Sequence, residues 1–543
     1  MQLHIKHGTH VAGTPADAIP LKETMMNHDS STVPQQFNFA QHILALNAGR
    51  ADKIAFIDDH ESLTYGELDR RVRSFAAALL TRGIQPEQRV LLVMQDTVDL
   101  PVALLGAMFA GVLPVPVNTL LPAADYAYML DHSRARAVIA SPALLPCVRE
   151  ALGTARNRPE LIVAGNADDT SLPTMRALLE TAPLAPGAHA DTCGDDFAFW
   201  LYSSGSTGRP KGTVHSHANL FWTAELYAKP VLGIRLDDIV FSAAKLFFAY
   251  GLGNGLTFPL SVGATVVLMA ERPTPQAVFA RLIQRRATVF AGVPTLYVAM
   301  LASPDLPSRE EVALRVCASA GEALPREVGQ AFRNHFGCDI LDGLGSTEML
   351  HIFVSNREGD VHYGSSGLPV PGYDIELRDD DNHLVAPGEI GDLYVRGPSA
   401  ALLYWANREK SRATFQGEWL KSGDKYSMDD KGYLTYAGRS DDMLKVSGQY
   451  VSPIEVEAAL TAHPAVLECA VVGRLDGDGL TKTAAYVVLG QGREACDALA
   501  DELKSFVKGR LAPHKYPREL VFVADLPKTA TGKIQRYRLR NAA

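Results

Sequence analysis

Short, mostly apolar runs recur along this chain with helical patterns between them, and that alternation constrains its fold more than any other feature. The runs fall at 90–94, 112–117, 137–141, 265–269, 287–291 and 315–319. Strands apolar on both faces need cover on both faces, which is the condition of parallel sheets flanked by helices. One intervening helix is spelled out locally. Thr64 and Glu67 stand at capping-box spacing, and Leu68, Val72, Phe75, Ala76 and Leu79 mark one face through about Arg82.

At 543 residues the chain exceeds a single core. Residues 1–36 have no apolar core, read as a flexible extension and show no secretion signal. The uncharged run 100–117 is long enough to cross a bilayer. Its punctuation argues otherwise, because Pro101 suits a helix start, Gly111 a helix stop, and Pro114 and Pro116 bar the helix from resuming. Near 392–396 the strands are expected to shorten and turns to crowd. Beyond 442 come a helix at 453–460, strands at 469–473 and 484–489, a helix at 497–510 and a strand at 519–523. The prediction is an α/β fold with two domains after the extension. Residues 37–440 carry parallel-rich sheets covered by helices and a small antiparallel, barrel-like region, and 441–543 form a small mobile α+β domain.

Composition excludes some function classes. With 47% hydrophobic and 21% charged residues this is an ordinary soluble globular chain, and a net charge of −9 gives no general attraction to nucleic acid. From Lys504 to Arg540, however, ten Lys or Arg stand against Glu519 and Asp525, a face that could meet a polyanionic ligand or simply solvent. Six scattered cysteines without a C-x-x-C pair argue against structural zinc and a disulfide framework, and fit a reducing, cytoplasmic setting.

Chemistry concentrates in a few turns. Ser203, Ser204, Gly205, Ser206, Thr207, Gly208, Arg209, Pro210, Lys211 and Gly212 come directly after a strand-like run. Glycines let backbone N–H groups approach an anion, hydroxyls donate to it and Lys211 adds charge. The spacing is not that of the usual P-loop, which would put glycine at Pro210 and a hydroxyl at Gly212. Gly343, Leu344, Gly345, Ser346, Thr347 and Glu348 offer a hydroxyl and a carboxylate after a tight turn, suited to phosphate and a hard cation. Asp424 ends a Lys-Ser-Gly-Asp turn, Arg439 and Asp441 lie at the domain junction, and Lys533 closes a Thr-Ala-Thr-Gly-Lys turn. Singly, each is equally well an ordinary turn.

Together and in this order, these stretches resemble the adenylate-forming superfamily of acyl-CoA synthetases, firefly luciferase and peptide-synthetase adenylation domains. The resemblance covers nearly the whole chain from about Phe39. It implies that the 203–212 loop holds the ATP phosphates, chiefly through Thr207 and Lys211. It further implies an adenine wall at Gly321, Glu322 and Ala323, with Asp342 and Gly343 also on the nucleotide. Thr347 would serve the α-phosphate, Glu348 Mg²⁺, and Asp424 and Arg439 the ribose. Asp441 matches the hinge, Lys445 and Gly448 the turn brought up on the CoA side, and Lys533 the lysine essential for adenylation. One departure is Leu344, where the family usually has an aromatic residue stacked on adenine.

The acyl pocket is expected around Ala249, Tyr250, Gly345, His351 and Ile352. The first stretch lacks the aspartate with which peptide synthetases hold an amino group. The runs K-L-F-F-A-Y-G-L-G-N and S-T-E-M-L-H-I-F resemble benzoate-CoA ligases, so a flat aryl acid is implied, benzoate first and 4-hydroxybenzoate second. The expected co-substrates are ATP and CoA, with Mg²⁺. A stand-alone enzyme loading a carrier protein, a luciferase-like oxidative use of the adenylate and a nucleotide-binding regulator are the alternatives. No nucleic acid or membrane partner is expected, a homodimer is left open, and acetylation of Lys533 by an acetyltransferase, reversed by a deacetylase, would remove the charge the first step needs.

Overall fold

The computed structural model describes residues 32–165, 171–203, 209–440, 443–446, 449–475, 481–490, 492–511, 515–528 and 534–540. Its centre is a nine-stranded sheet in which six neighbouring strands run parallel, in the order Ile340–Gly345, Val316–Ala320, Val289–Gly292, Ile239–Ser242, Thr265–Val267 and Ile54–Ile57. Antiparallel strands close it at both edges, Ser62–Thr64 on one and Ile352–Ser355 with Leu368–Pro369 on the other. A second, wholly parallel sheet joins Leu113–Pro116, Arg89–Val93, Ala137–Ala140 and Glu160–Val163. The fold class is therefore the α/β arrangement that the apolar runs predict.

The helix Tyr65–Thr81 begins in the expected capping box, and its five marked apolar residues are all buried. The 100–117 run divides as its punctuation requires. Helix Asp99–Phe109 is buried throughout after its first residue, Gly111 turns the chain at φ 72°, and Leu113–Pro116 takes the edge of the second sheet. Only an edge strand tolerates two prolines, because they donate no ladder bonds. Among the described residues no helix is long and apolar enough to cross a membrane.

Three findings depart from expectation. The fold takes hold of the chain before residue 37, since Val33 packs on the first core and Gln36 bridges to Cys193. Past 390 the strands do not shorten: Ile390–Arg396 has seven residues and Trp419–Met428 ten. What changes there is direction, because these strands with Asp374–Arg378, Phe415–Gln416 and Leu434–Arg439 pair only antiparallel. Lys211 is not a loop residue but opens the strand Lys211–Ser216, paired antiparallel with Phe197–Ser203 and with Leu403–Tyr404.

The C-terminal unit has its own core. Val466–Leu475, Thr481–Leu489 and Glu519–Phe522 form a three-stranded sheet covered by helices Pro453–Thr461, Asp497–Lys508 and Arg536–Arg540. Every predicted element is present, with the two longer strands extending several residues beyond their predicted ends.

Candidate active site

Parallel sheets offer ligands the crevice beyond the carboxyl ends of their strands. Two such ends carry several of the predicted nucleotide residues. Val316–Ala320 ends at Gly321, whose φ of 94° is accessible without strain only to glycine, and Glu322 accepts a 2.8 Å hydrogen bond from Thr295 Oγ1. Its carboxylate is thus committed to the protein rather than turned freely to a ligand. Next to it, Ile340–Gly345 carries Asp342, Gly343 and Gly345 and runs into the turn holding Thr347 and Glu348.

That turn is braced on several sides. Ser346 Oγ accepts from Met349 N at 3.1 Å, Ala401 N donates to the Glu348 carbonyl at 2.7 Å, and His215 Nε2 lies 2.8 Å from the Thr347 carbonyl. Both ring nitrogens face acceptors, Nδ1 lying 3.2 Å from Asn219 Oδ1, and the shorter contact to the carbonyl favours the proton on Nε2. Burial pushes His215 down to about 4, which keeps it uncharged behind the site.

Glu348 faces the strand pair from 197–203 and 211–216. Its Oε1 accepts from Tyr404 Oη at 2.7 Å and from Ser203 Oγ at 3.4 Å, and Lys211 Nζ lies 4.0 Å away. Lys211 also sits 4.5 Å above the Tyr404 ring. Burial lowers the Lys211 pKa while Glu348 opposes the shift, and the positive charge of Arg439 reaches both Lys211 and Tyr404. Asp424 and Arg439 face each other across paired strands and form a 3.1 Å ion pair, so the two predicted ribose contacts bind one another here. Among the described residues no group of three acidic, His or Cys side chains could hold a metal. A lone carboxylate does fit Mg²⁺, which commonly takes one or two protein carboxylates and completes its shell with water and substrate phosphates.

Three residues beyond Glu348 the chemistry changes. Leu350 is a buried, non-glycine residue at φ 65°, and His351 N returns to the Met349 carbonyl at 2.8 Å. This strained turn sets His351 among Tyr250 (ring centroids 5.5 Å, stacked), Tyr227 (5.3 Å) and Phe258 (4.4 Å, edge-on). Burial drives His351 down to about 3. Ile352 pairs with Gly345, and Ala249 opens the short helix that carries Tyr250. The structure thus gathers all five predicted acyl-pocket residues. Phe247 is core, whereas Phe248 is 38% exposed beside it. Leu344, in the aromatic position, is half-buried and packs on the second core. Asp342 is buried with Oδ1 unpartnered among the described residues, and burial raises it to about 7.

Residues 204–208, Asp441, Gly448 and Lys533 lie outside the described residues, as does the Lys445 side chain. Tyr404 and His215 enter the site without a sequence signal of their own. Tyr404 arrives by a two-residue edge pairing, and only its proximity to Glu348 reveals it.

Known proteins resemble this chain over most of its length. A family described as AMP-binding enzyme matches residues 45–405, and its C-terminal domain matches 455–533. The chain is 57% identical to a benzoate--CoA ligase of Thauera aromatica, covering 94% of this chain and 97% of the relative. It is 49% identical to a 4-hydroxybenzoate--CoA/benzoate--CoA ligase of Rhodopseudomonas palustris, covering 91% of each. A crystal structure of a benzoate CoA ligase from Burkholderia xenovorans LB400 superposes with a TM-score of 0.86 at 64% identity, over 93% of this chain and all of that one. An anthranilate CoA ligase solved with anthranoyl-AMP gives 0.87 at 40%, over 94% and 98%.

Proposed function

Because the chain belongs to the adenylate-forming family of AMP-binding enzymes, we propose that it is an ATP-dependent aryl-CoA ligase that converts benzoate, ATP and CoA to benzoyl-CoA, AMP and diphosphate. One observation carries the reading: Glu348 and His351 share one turn. A charged edge with Lys211 and Tyr404 thus lies within three residues of a neutral aromatic wall. A flat apolar acid held against that wall would bring its carboxylate to the phosphates.

In the first half-reaction the carboxylate attacks the α-phosphorus and diphosphate leaves, forming benzoyl-adenylate. No protein nucleophile is needed. Two anions must meet, and at 4 Å their repulsion is about 4 kcal/mol at an effective dielectric of about 20. Lys211 and Lys533 offset it, Thr347 holds the α-phosphate, and the 203–208 loop holds the departing end. Glu348 would hold Mg²⁺, which supplies charge neutralisation on the phosphate oxygens. Asp424 and Arg439 would exchange their mutual pair for the ribose hydroxyls. In the second half-reaction the CoA thiol attacks the acyl carbonyl and AMP leaves. The domain beyond about residue 440 would turn at Asp441, withdrawing Lys533 and bringing up the 445–448 turn. Acetylation of Lys533 would then silence the first step alone. The setting we assign is the cytoplasm.

4-Hydroxybenzoate is the second reading. It is favoured by the Tyr250 hydroxyl and His351 Nδ1, both buried without a protein partner among the described residues and able to meet a ring hydroxyl. Release of AMP and acyl-CoA, read together for benzoate, hydroxybenzoates, cinnamate and hexanoate, tests both readings. Highest kcat/KM for benzoate is expected, and preference for hexanoate would defeat the aryl assignment.

A further inference from the structure

Tyr404 gives the Glu348 carboxylate its 2.7 Å hydrogen bond from a strand of only two residues, so its place must be set by what flanks it. Leu403 and Tyr404 lie opposite Val214 and Thr213 at the sheet edge, and the chain then turns at Ala406, a non-glycine residue at φ 50°. Backbone of that kind persists only where its surroundings hold it. Trp405, between the two, supplies the hold. Its backbone N–H donates to the Gly212 carbonyl at 2.8 Å, and its indole lies against Trp200 with ring centroids 4.6 Å apart. Successive residues of an extended chain face opposite ways, so Tyr404 turns to Glu348 and Trp405 away from it.

What Trp405 meets on that side is the end of helix Ala123–Ser133, which closes at Arg134 with a φ of 52°. The last carbonyls of a helix have no partner within it. Two are taken here by side chains, that of Ser133 by Arg89 Nε at 2.7 Å and that of His132 by Trp405 Nε1 at 3.2 Å. The Arg89 guanidinium lies 5.3 Å from the Trp405 ring centroid, which adds a cation–π contact to the same corner. His132 holds a second strand as well, with its Nδ1 2.8 Å from Tyr202 Oη. Tyr202 precedes Ser203 and Trp405 follows Tyr404, so the neighbours of both hydroxyls on Glu348 Oε1 are bonded to one residue. One helix end is thus the common reference for the charged edge of the site.

We propose that Trp405 is a positioning residue for adenylation, its indole N–H docked on this helix end so that the Tyr404 hydroxyl meets Glu348. Trp405 acts through its neighbour and not on the reacting groups. This role rests on the acyl-adenylate reading of the site but on no particular acid.

A double-mutant cycle in the full-length protein tests this, with Trp405→Phe, Tyr404→Phe and the two combined. Single-turnover diphosphate release reads adenylation, and the reaction of preformed acyl-adenylate with CoA reads the second step. Trp405→Phe keeps a ring against Trp200 and loses one neutral hydrogen bond, so adenylation should slow about fivefold. Added to Tyr404→Phe, which alone should cost about tenfold, it should cost almost nothing further, because the hydroxyl it positions is gone. The second step should keep its wild-type rate throughout. Multiplied losses, about 50-fold in the double variant, would make Trp405 independent of Tyr404 and overturn the role. Equal slowing of both steps, or an unslowed Trp405→Phe, would overturn it too. If Trp405→Phe does not fold, benzothienylalanine at position 405, which keeps the bicyclic shape without the N–H, enters the same cycle. The acid used is whichever of the panel wild type activates, so failure with benzoate alone removes the benzoate reading, and no diphosphate release with any acid overturns both.

Discussion

The two halves of the site, three residues apart on one turn, are built on opposite principles. Around His351 everything is fixed: rings on three sides, Gly253 admitting no Cβ, the Asn254 amide bonded to the Tyr250 carbonyl, and no charge. Around Glu348 the contacts are exchangeable, because Tyr404, Ser203, Lys211, Asp424 and Arg439 satisfy one another with groups a nucleotide could replace. Under the proposed function, the first half would select by shape and the second would assemble around its ligand. Substitutions should therefore separate them, with losses in acid selectivity on one side and in adenylation on the other.

The largest effect is expected from Lys533, the lysine that the proposed mechanism brings to the exchangeable half. Lys533→Ala should slow adenylate formation by about 10²- to 10³-fold, as when a single charge-stabilising donor is removed from an active site. The reaction of preformed benzoyl-adenylate with CoA should continue at near wild-type rate in single-turnover assays. Equal loss in both half-reactions would mean that the lysine supports the fold or both steps. On the fixed side, Gly253→Ala drives a methyl into the His351 ring and Phe258 Cζ, 2.8 Å away. Overpacking of this kind costs about 1–3 kcal/mol. Here we expect kcat/KM for benzoate to fall about 100-fold with the ATP KM little changed, and a parallel rise in the ATP KM would erase the contrast between the halves.

A smaller change should mark the exchangeable half. Tyr404→Phe removes the 2.7 Å hydrogen bond to Glu348 and keeps the ring beneath Lys211. Loss of one hydrogen bond to a charged group predicts about a tenfold drop in the adenylation rate and a higher Mg²⁺ requirement. The order of preference among benzoate, hydroxybenzoates and hexanoate should not move. Steady-state kinetics with titrated Mg²⁺ would show it, and a changed preference order would tie Tyr404 to the fixed wall.

The sequence reveals these halves unequally. Helix Tyr65–Thr81 is legible because its cap and periodicity are local, and the parallel sheets because strands covered on both faces leave continuous apolar runs. Thr347, Glu348, Asp424 and Arg439 are legible as glycine-rich turns in a family order. Tyr404 is not, because it meets Lys211 through strand pairing across 193 residues. Nor is the turn at Leu350, whose positive φ is forced on a residue that gives no hint of it and is held where Met349 N donates to Ser346 Oγ and the Met349 carbonyl accepts from Ser399 Oγ. Asn254 lies in a run whose aromatic character draws attention away from it, and its register with His351 depends on a π-helical turn that no periodicity announces.

Asp342 gives the mildest test of how sealed the fixed half is. Its carboxyl lies under the wall, buried, and its charge acts on both Tyr227 and Tyr250. Burial raises its pKa from 3.8 to about 7. Below the lower value it is protonated whether the chain is folded or not. As pH rises from about 4 to 7 the unfolded chain releases the proton while the fold retains it, so this group withdraws stability across that window and the deficit persists above it. A shift of about three units corresponds to roughly 4 kcal/mol at most. Asp342→Asn keeps the shape and removes the titration. Its unfolding free energy should exceed that of wild type by roughly 2–4 kcal/mol at pH 8, and the gap should narrow steadily toward pH 5. Denaturant titrations at several pH values would reveal it. A gap that does not vary with pH would mean that Asp342 is already ionised in the fold, with water reaching beneath the wall, and the sealed half would then resemble the exchangeable one more than its packing suggests.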